Sequence, residues 1–214
     1  MRLIHKKNSK LMAVIIQHVR DNIKAYLFTA CILLIGVTLG VVFVNNLQEV
    51  QSQEVQNYIN EFILTLKDGS SIDSGRLLQN SVRNNLLLVI IMWFTGSTVI
   101  GIPIVLGIVM YRGFCLGYTV SALIAILGIG KGTLFFVSYM LLQNLILIPC
   151  ILALAVSGVK LYKSIIKDKR KENIKVEVMR HTLFSLMILA FLIISSLIET
   201  YISSNLFMLC IQYL

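Results

Sequence analysis

Aspartate, glutamate, lysine and arginine are missing altogether from five stretches of this chain, residues 25–48, 84–111, 113–130, 132–159 and 181–198. Over the whole sequence only 14% of residues are charged, against roughly 25% in a soluble globular domain, while 57% are hydrophobic and mean hydropathy is +0.84. Each uncharged stretch approaches or exceeds the ~20 apolar residues, ~17 at minimum, that a spanning helix needs. The scarcity of charge therefore excludes a soluble domain, and no sixth stretch of this kind remains.

Proline is nearly absent, with Pro103 and Pro149 the two in the chain. Each removes a backbone donor and is expected to kink the helix that holds it. The four cysteines, Cys31, Cys115, Cys150 and Cys210, form no CxxC pair and lie in or beside apolar runs. They read as free thiols packed as small hydrophobes.

Catalytic groups are sparse too. His5, His18 and His181 fall in basic regions expected at or inside the cytoplasmic surface, and their spacing suits no zinc site. An intramembrane protease needs paired aspartates, an HExxH helix or a serine with its base, and no such pattern is legible. The serine in "WFTGSTVIG", residues 93–101, lacks the GxSxG elbow, and no GxxxxGKS phosphate loop is present. Glu199 is the one carboxylate in an apolar run; it is expected near the outer end, where water reaches it. The reading is a non-enzyme with no catalytic residue, cofactor or metal.

What is present is an all-α membrane bundle, a single domain over 1–214. Its five spans are expected at about 25–45, 85–110, 113–130, 133–158 and 182–203. Met1 to Lys10 is basic, but no cleavage site follows, so the first helix reads as uncleaved. Fifteen of the nineteen Lys and Arg fall on the N-terminal side: six before the first span, Arg112, and eight from Lys160 to Arg180. Lys67, Arg76, Arg83 and Lys131 fall opposite. The N-terminus is thus expected in the cytoplasm and the C-terminus outside.

Outside the spans, Met12, Ile15, Ile16, Val19 and Ile23 recur at helical spacing and predict a helix on the inner membrane surface. In the external loop, 46–84, the residues Tyr58, Ile59, Phe62, Ile63 and Leu66 form one helical face. It must be covered by lipid, by the bundle or by a partner. A second short helix is predicted from Asp73 or Ser74 into the second span. The basic cytoplasmic loop, 159–181, has a composition that attraction to anionic lipid accounts for.

Within the spans, small residues recur at contact spacing: Gly36 with Gly40, Ser97 with Gly101, and Gly113 with Gly117. Such faces let helix backbones approach closely, and in lipid that packing holds a bundle together. Self-association stays open. Gln143 and Asn144 stand at mid-depth of the fourth span, six and five residues before Pro149. An unsatisfied amide there costs several kcal/mol, so hydrogen bonding that orients the fourth span is their simplest use. Gripping another protein's helix or lining a polar passage is the rival use.

Three segments together resemble one family. "HVRDNIKAYLFTACILLIGVTLGVVFVNNL" (18–47) looks like the first helix of the stage II sporulation protein M family. "NNLLLVIIMWFTGSTVIGIPIVLGIVMYRGFCLGYTVS" (84–121) is similar to its central pair of helices, and "QNLILIPC" (143–150) to its fourth. The His-Gly and glutamate often found in that last segment are absent here, so no role tied to them carries over. The resemblance implies a multi-pass scaffold in the cell membrane of an endospore-forming bacterium, on the mother-cell side of the sporulation septum. As a partner of peptidoglycan-degrading proteins resembling stage II sporulation proteins P and D, it would anchor them during engulfment. Membrane lipids are the other expected partners, and nucleic acid is not one. The alternative is a small transporter or the permease subunit of an export system, its polar path assembled from Gln143, Asn144, Asn85 and Thr98.

Overall fold

The computed structural model describes residues 17, 19–67, 73–98, 100–167 and 171–211. Among them all regular structure is helical, with no strand. The surface helix expected through Met12, Ile15 and Ile16 lies outside the described residues.

Helix α1, Ile23–Asn45, is an uninterrupted apolar run that ends where Asn46 Nδ2 turns back to donate to the Val42 carbonyl at 2.7 Å. Helix α2, Glu49–Lys67, is amphipathic. Glu49 in its first turn and Lys67 in its last complement the helix dipole. Helix α3, Ser74–Gly96, starts where Asp73 Oδ1 accepts from the backbone N–H groups of Gly75 and Arg76 at 3.0 and 3.1 Å. A capping interaction of this kind is worth about 1 kcal/mol.

Helix α4 covers Gly101–Phe135 but reverses at Gly128, whose φ of +81° suits a residue without a Cβ. The reversal is a hairpin. A Cβ placed on Gly132 would sit 2.8 Å from the Ile124 backbone, whereas a straight helix would hold those residues about 12 Å apart. A π-helical turn, Phe136–Met140, leads into α5, Leu141–Lys167. Helix α6, Lys171–Ile198, passes through a second π turn, Glu199–Ser203, into α7, Ser204–Cys210.

Among the described residues three helical stretches are long and apolar enough to cross a membrane: Ile23–Asn45, Gly101–Ile166 and Ile174–Cys210. The second has 66 residues, about three times the ~20 that one crossing takes, and it folds back at Gly128. Helix α3 falls short of this class because Arg76, Arg83 and several amides and hydroxyls occupy its first half.

The helix boundaries differ from the expected spans in one place that matters. Residues 85–110 are not one helix: the chain breaks at Ser97–Ile100, and α4 runs without interruption through Arg112. A charge in an apolar run usually marks a span end, so the sequence predicts the break at Arg112. Here the break is made by backbone instead. Ser97 Oγ donates to the Trp93 carbonyl at 2.7 Å, and a Cβ on Gly101 would overlap the Thr95 carbonyl. Ser97 and Gly101 therefore flank the turn between α3 and α4, Gly101 as the first residue of α4, and do not form a helix-packing pair. Pro103 accordingly lies in the first turn of α4, where its missing N–H leaves no helical bond unmade, and it produces no kink. Pro149 does lie inside a helix, nine positions into α5. The basic segment expected as a loop over 159–181 is helical on both sides of 168–170.

Two cores result. Leu88, Met92, Val105, Val109, Ile151 and Leu192 join α3, α4, α5 and α6 in the larger one. The smaller one seats α2 on the bundle: Ile63 and Leu66 are buried with Leu123, Phe135, Phe207 and Ile211.

Candidate functional site

The packing that builds the site begins with glycine. A Cβ on Gly36 would overlap the Met110 carbonyl, and one on Gly40 would lie 2.6 Å from the Tyr118 nitrogen. Reciprocally, Gly113 abuts the Leu33 carbonyl and Gly117 that of Val37. The two GxxxG faces are thus each other's partner, within one chain. They bring the α1 and α4 backbones into contact, with Phe43 against Phe114 at 5.6 Å closing one end. A second close approach has no signature in the sequence: Gly96 meets Gly158, on helices whose glycines follow no legible spacing.

Against this frame α5 presents its two amides to different neighbours. Gln143 Nε2 donates to Glu199 Oε2 at 2.6 Å, linking α5 to the π turn after α6. The Gln143 backbone carbonyl accepts from Ser195 Oγ at 3.2 Å. Asn144 stays local, its Nδ2 donating to the Met140 carbonyl at 2.9 Å beside the other π turn.

Glu199 is the hub. Ser81 Oγ on α3 donates to the same carboxylate oxygen and stands 2.9 Å from Ser196 Oγ. That hydroxyl accepts from Asn85 Nδ2 at 2.9 Å. Asn85 also reaches the Leu192 carbonyl at 3.3 Å. Ser81, Asn85, Ser196 and Glu199 are all buried, so three helices are clasped by one polar network inside an apolar bundle. A network of this kind rigidifies a core when its members are satisfied and costs heavily when one is lost.

This placement corrects the expectation for Glu199. It does not meet water at an outer end; it is 9% exposed and faces inward. The signal was present in the sequence as Leu192, Ser196 and Glu199 at helical spacing, matched by Ser81 and Asn85 four apart. His181 is corrected likewise. It is buried rather than interfacial, with Nδ1 2.8 Å from Ser157 Oγ and Nε2 without a hydrogen-bond partner. The serine and histidine that no motif joined are thus together, but they are sealed beneath Gly96, which approaches Nε2.

Gln143 also lines a cavity of about 150 Å³ between α1, α4 and α5, whose wall does not include Glu199. Its wall includes Arg112, Thr119, Gln143 and Asn144 among apolar residues. An arginine at the centre of a membrane helix costs about 2.5–3.5 kcal/mol on insertion scales, so its position needs a reason. The remaining candidates are placed as follows. Of the α2 face, Ile63 and Leu66 are buried and Ile59 packs partly beside them. Phe62 stacks on Phe207 at 6.3 Å, and Tyr58 is 74% exposed. Thr98 caps its own turn by donating to the Thr95 carbonyl, away from the cavity lining. The cysteines are free thiols. Among the described residues no group of three His, Cys, Asp or Glu is arranged to hold a metal ion.

Comparison with curated proteins and with solved structures gives no match. The family model for stage II sporulation protein M matches residues 29–204, from within α1 to the first residue of α7. That match takes in both GxxxG faces, the cavity and the Gln143–Glu199 clasp, and the chain belongs to the stage II sporulation protein M family.

Proposed function

We propose that this protein is a non-catalytic scaffold of the cell membrane that holds peptidoglycan-degrading enzymes at the septal membrane during forespore engulfment. The observation that carries the reading is the Gln143–Glu199 clasp: the one carboxylate of the apolar stretches is used to join α3, α5 and α6 to one another. Membership of a sporulation family supplies the setting. In this reading the chain crosses the membrane five times: α1, α3, the two limbs of the Gly101–Ile166 stretch, and α6 with its continuation. The N-terminus is cytoplasmic and the C-terminus external. Helix α2 then lies outside, with Tyr58 as its most exposed aromatic, in reach of partners resembling stage II sporulation proteins P and D.

The test is a mild-crosslink purification of the tagged chain from sporulating-cell membranes, with co-purified proteins identified by mass spectrometry. Recovery of peptidoglycan-degrading partners is expected, and recovery of only an ATPase or a solute-binding protein would sink the scaffold. One observation favours a transport subunit instead, the polar-walled cavity at Arg112. That reading requires solute flux to fall in Gln143→Leu/Asn144→Leu while assembly stays normal.

A further inference from the structure

Arg112 stands near the middle of the limb of α4 that runs from Gly101 to the reversal at Gly128, a limb long and apolar enough to cross a membrane, so in a spanning bundle it falls at the driest depth. Its neighbour Gly113 abuts the carbonyl of Leu33, which lies near the middle of the 23-residue apolar helix α1. Its wall-mates Gln143 and Asn144 are likewise mid-helix residues of the bundle, and Thr119 lies two turns further along α4. The cavity therefore extends along the deep part of α4 and not towards the helix start at Gly101. Among the described residues the ion pairs are Asp73–Arg76 and Glu177–Arg180, so Arg112 has no carboxylate partner of its own there. Asp, Glu, Lys and Arg are otherwise absent from residues 84–130 of the two adjoining helices. Glu199, the one acid of the apolar stretches, is occupied by Ser81 and Gln143 and is not part of the cavity wall.

An intramembrane ionisable residue facing a cavity marks a functional site, with a partner to be named. The guanidinium offers five donors in a planar fork that matches a carboxylate through two parallel bonds. The volume suits one such group: about 150 Å³ in an apolar interior is enough for a benzene-sized guest. Phosphate headgroups lie about 15 Å away, at the edge of a ~30 Å hydrocarbon core. A carboxylate borne by a transmembrane helix arrives at the required depth. A second copy of this chain has no free acid at that depth to offer, because Glu199 is buried and bonded within its own bundle.

We infer that the cavity at Arg112 is a docking site for a partner's transmembrane helix that presents one aspartate or glutamate side chain at mid-bilayer depth. The inference rests on the scaffold reading and adds the chemistry by which that scaffold recognises a partner within the membrane.

The direct test uses the purified full-length chain in phosphatidylcholine vesicles with two synthetic leucine-alanine transmembrane peptides, one with a central Glu and one with a central Gln. Association is read by fluorescence energy transfer. The Glu peptide is expected to bind about tenfold more tightly than the Gln peptide. Arg112→Met should abolish the preference and Arg112→Lys should keep part of it. Thermal unfolding in detergent, together with the helical signal, identifies a variant that has failed to fold. Arg112→Lys then carries the comparison, with a reduced preference expected and an unchanged one counting against the site. Equal binding of the two peptides, or a preference that survives Arg112→Met, overturns the inference. Displacement of the Glu peptide by oleate at equal mole fraction would assign the cavity to a lipid carboxylate and also overturns it. In sporulating membranes, partners recovered equally by wild type and Arg112→Met leave the scaffold standing without this site. Failure of wild type to recover any peptidoglycan-degrading partner sinks the scaffold itself.

Discussion

Gln143 and Glu199 meet across 2.6 Å, one amide hydrogen given to one carboxylate oxygen, and the contact explains why a polar residue interrupts the apolar run of α5. The amide is satisfied by a different helix, so it fixes the face that α5 turns towards α6. Replacing Gln143 with Leu leaves the buried carboxylate with Ser81 as its remaining side-chain donor. Leaving a buried group underpaired costs about 1–3 kcal/mol. Glu199→Gln keeps an acceptor oxygen for both donors and should cost less than Glu199→Leu, which strands the Gln143 amide and leaves Ser81 with Ser196 alone. A double-mutant cycle on thermal unfolding in detergent measures this. Additive losses for Gln143→Leu and Glu199→Leu would mean that the clasp carries no coupling.

The α1–α4 contact makes a sharper prediction, because the chain supplies its own control. Gly113→Ala drives a methyl into the Leu33 carbonyl, and nothing at that distance can yield except backbone. Overpacking of this kind costs about 1–3 kcal/mol. Gly107, on the same helix, has nothing within 4 Å of a Cβ position. Gly107→Ala should therefore stabilise by roughly 0.5–1 kcal/mol through helix propensity alone. Unfolding midpoints that move in opposite directions bear out the interlock; a shared direction removes it.

Those glycines were legible because a four-residue spacing on one helix face is visible in a single sequence. Asp73 as the start of α3 was legible for a similar reason, since its carboxylate caps the turn that follows it. The identity of partners far apart in the chain is not legible in this way, even where a need for one is, as at Gln143. Gly96 meets Gly158, Ser157 meets His181 and Glu199 meets Ser81 only after the helices pack, and no local pattern announces the pairing. Arg112 failed for another reason. A charge was read as a span boundary, the usual meaning, whereas the actual boundary is made by the turn geometry of Ser97 and Gly101.

Helix α2 divides into a structural and a free part. Ile63 and Leu66 are 6% and 7% exposed beneath Phe135 and Phe207, so Ile63→Ala should lower stability by about 2–5 kcal/mol. Tyr58, at 74% exposed, makes no comparable contribution. Tyr58→Ser should leave the unfolding midpoint within about 0.5 kcal/mol and reduce recovery of an external partner if α2 receives one. Unchanged recovery would move the docking surface elsewhere on the chain.

The position of Arg112 is open to a labelling experiment that separates the two boundaries directly. In a background without the four native cysteines, single cysteines are placed at Thr98, Arg112, Asn60 and Arg170, and intact cells are treated with a membrane-impermeant maleimide before and after permeabilisation. With the break at Ser97–Ile100 and α4 continuous through 112, the cysteine at Thr98 should react and that at Arg112 should stay protected, because a thiol in hydrocarbon forms little thiolate and meets no reagent. Labelling at Arg112 matching that at Thr98 would restore the boundary that the charge alone implied and open the Arg112 cavity to water. Orientation is read from the same cells: Asn60 should label from outside, and Thr98 and Arg170 only after permeabilisation. An Asn60 thiol reached only after permeabilisation inverts the chain, turns α2 away from the cell wall and removes it as a surface for partners there.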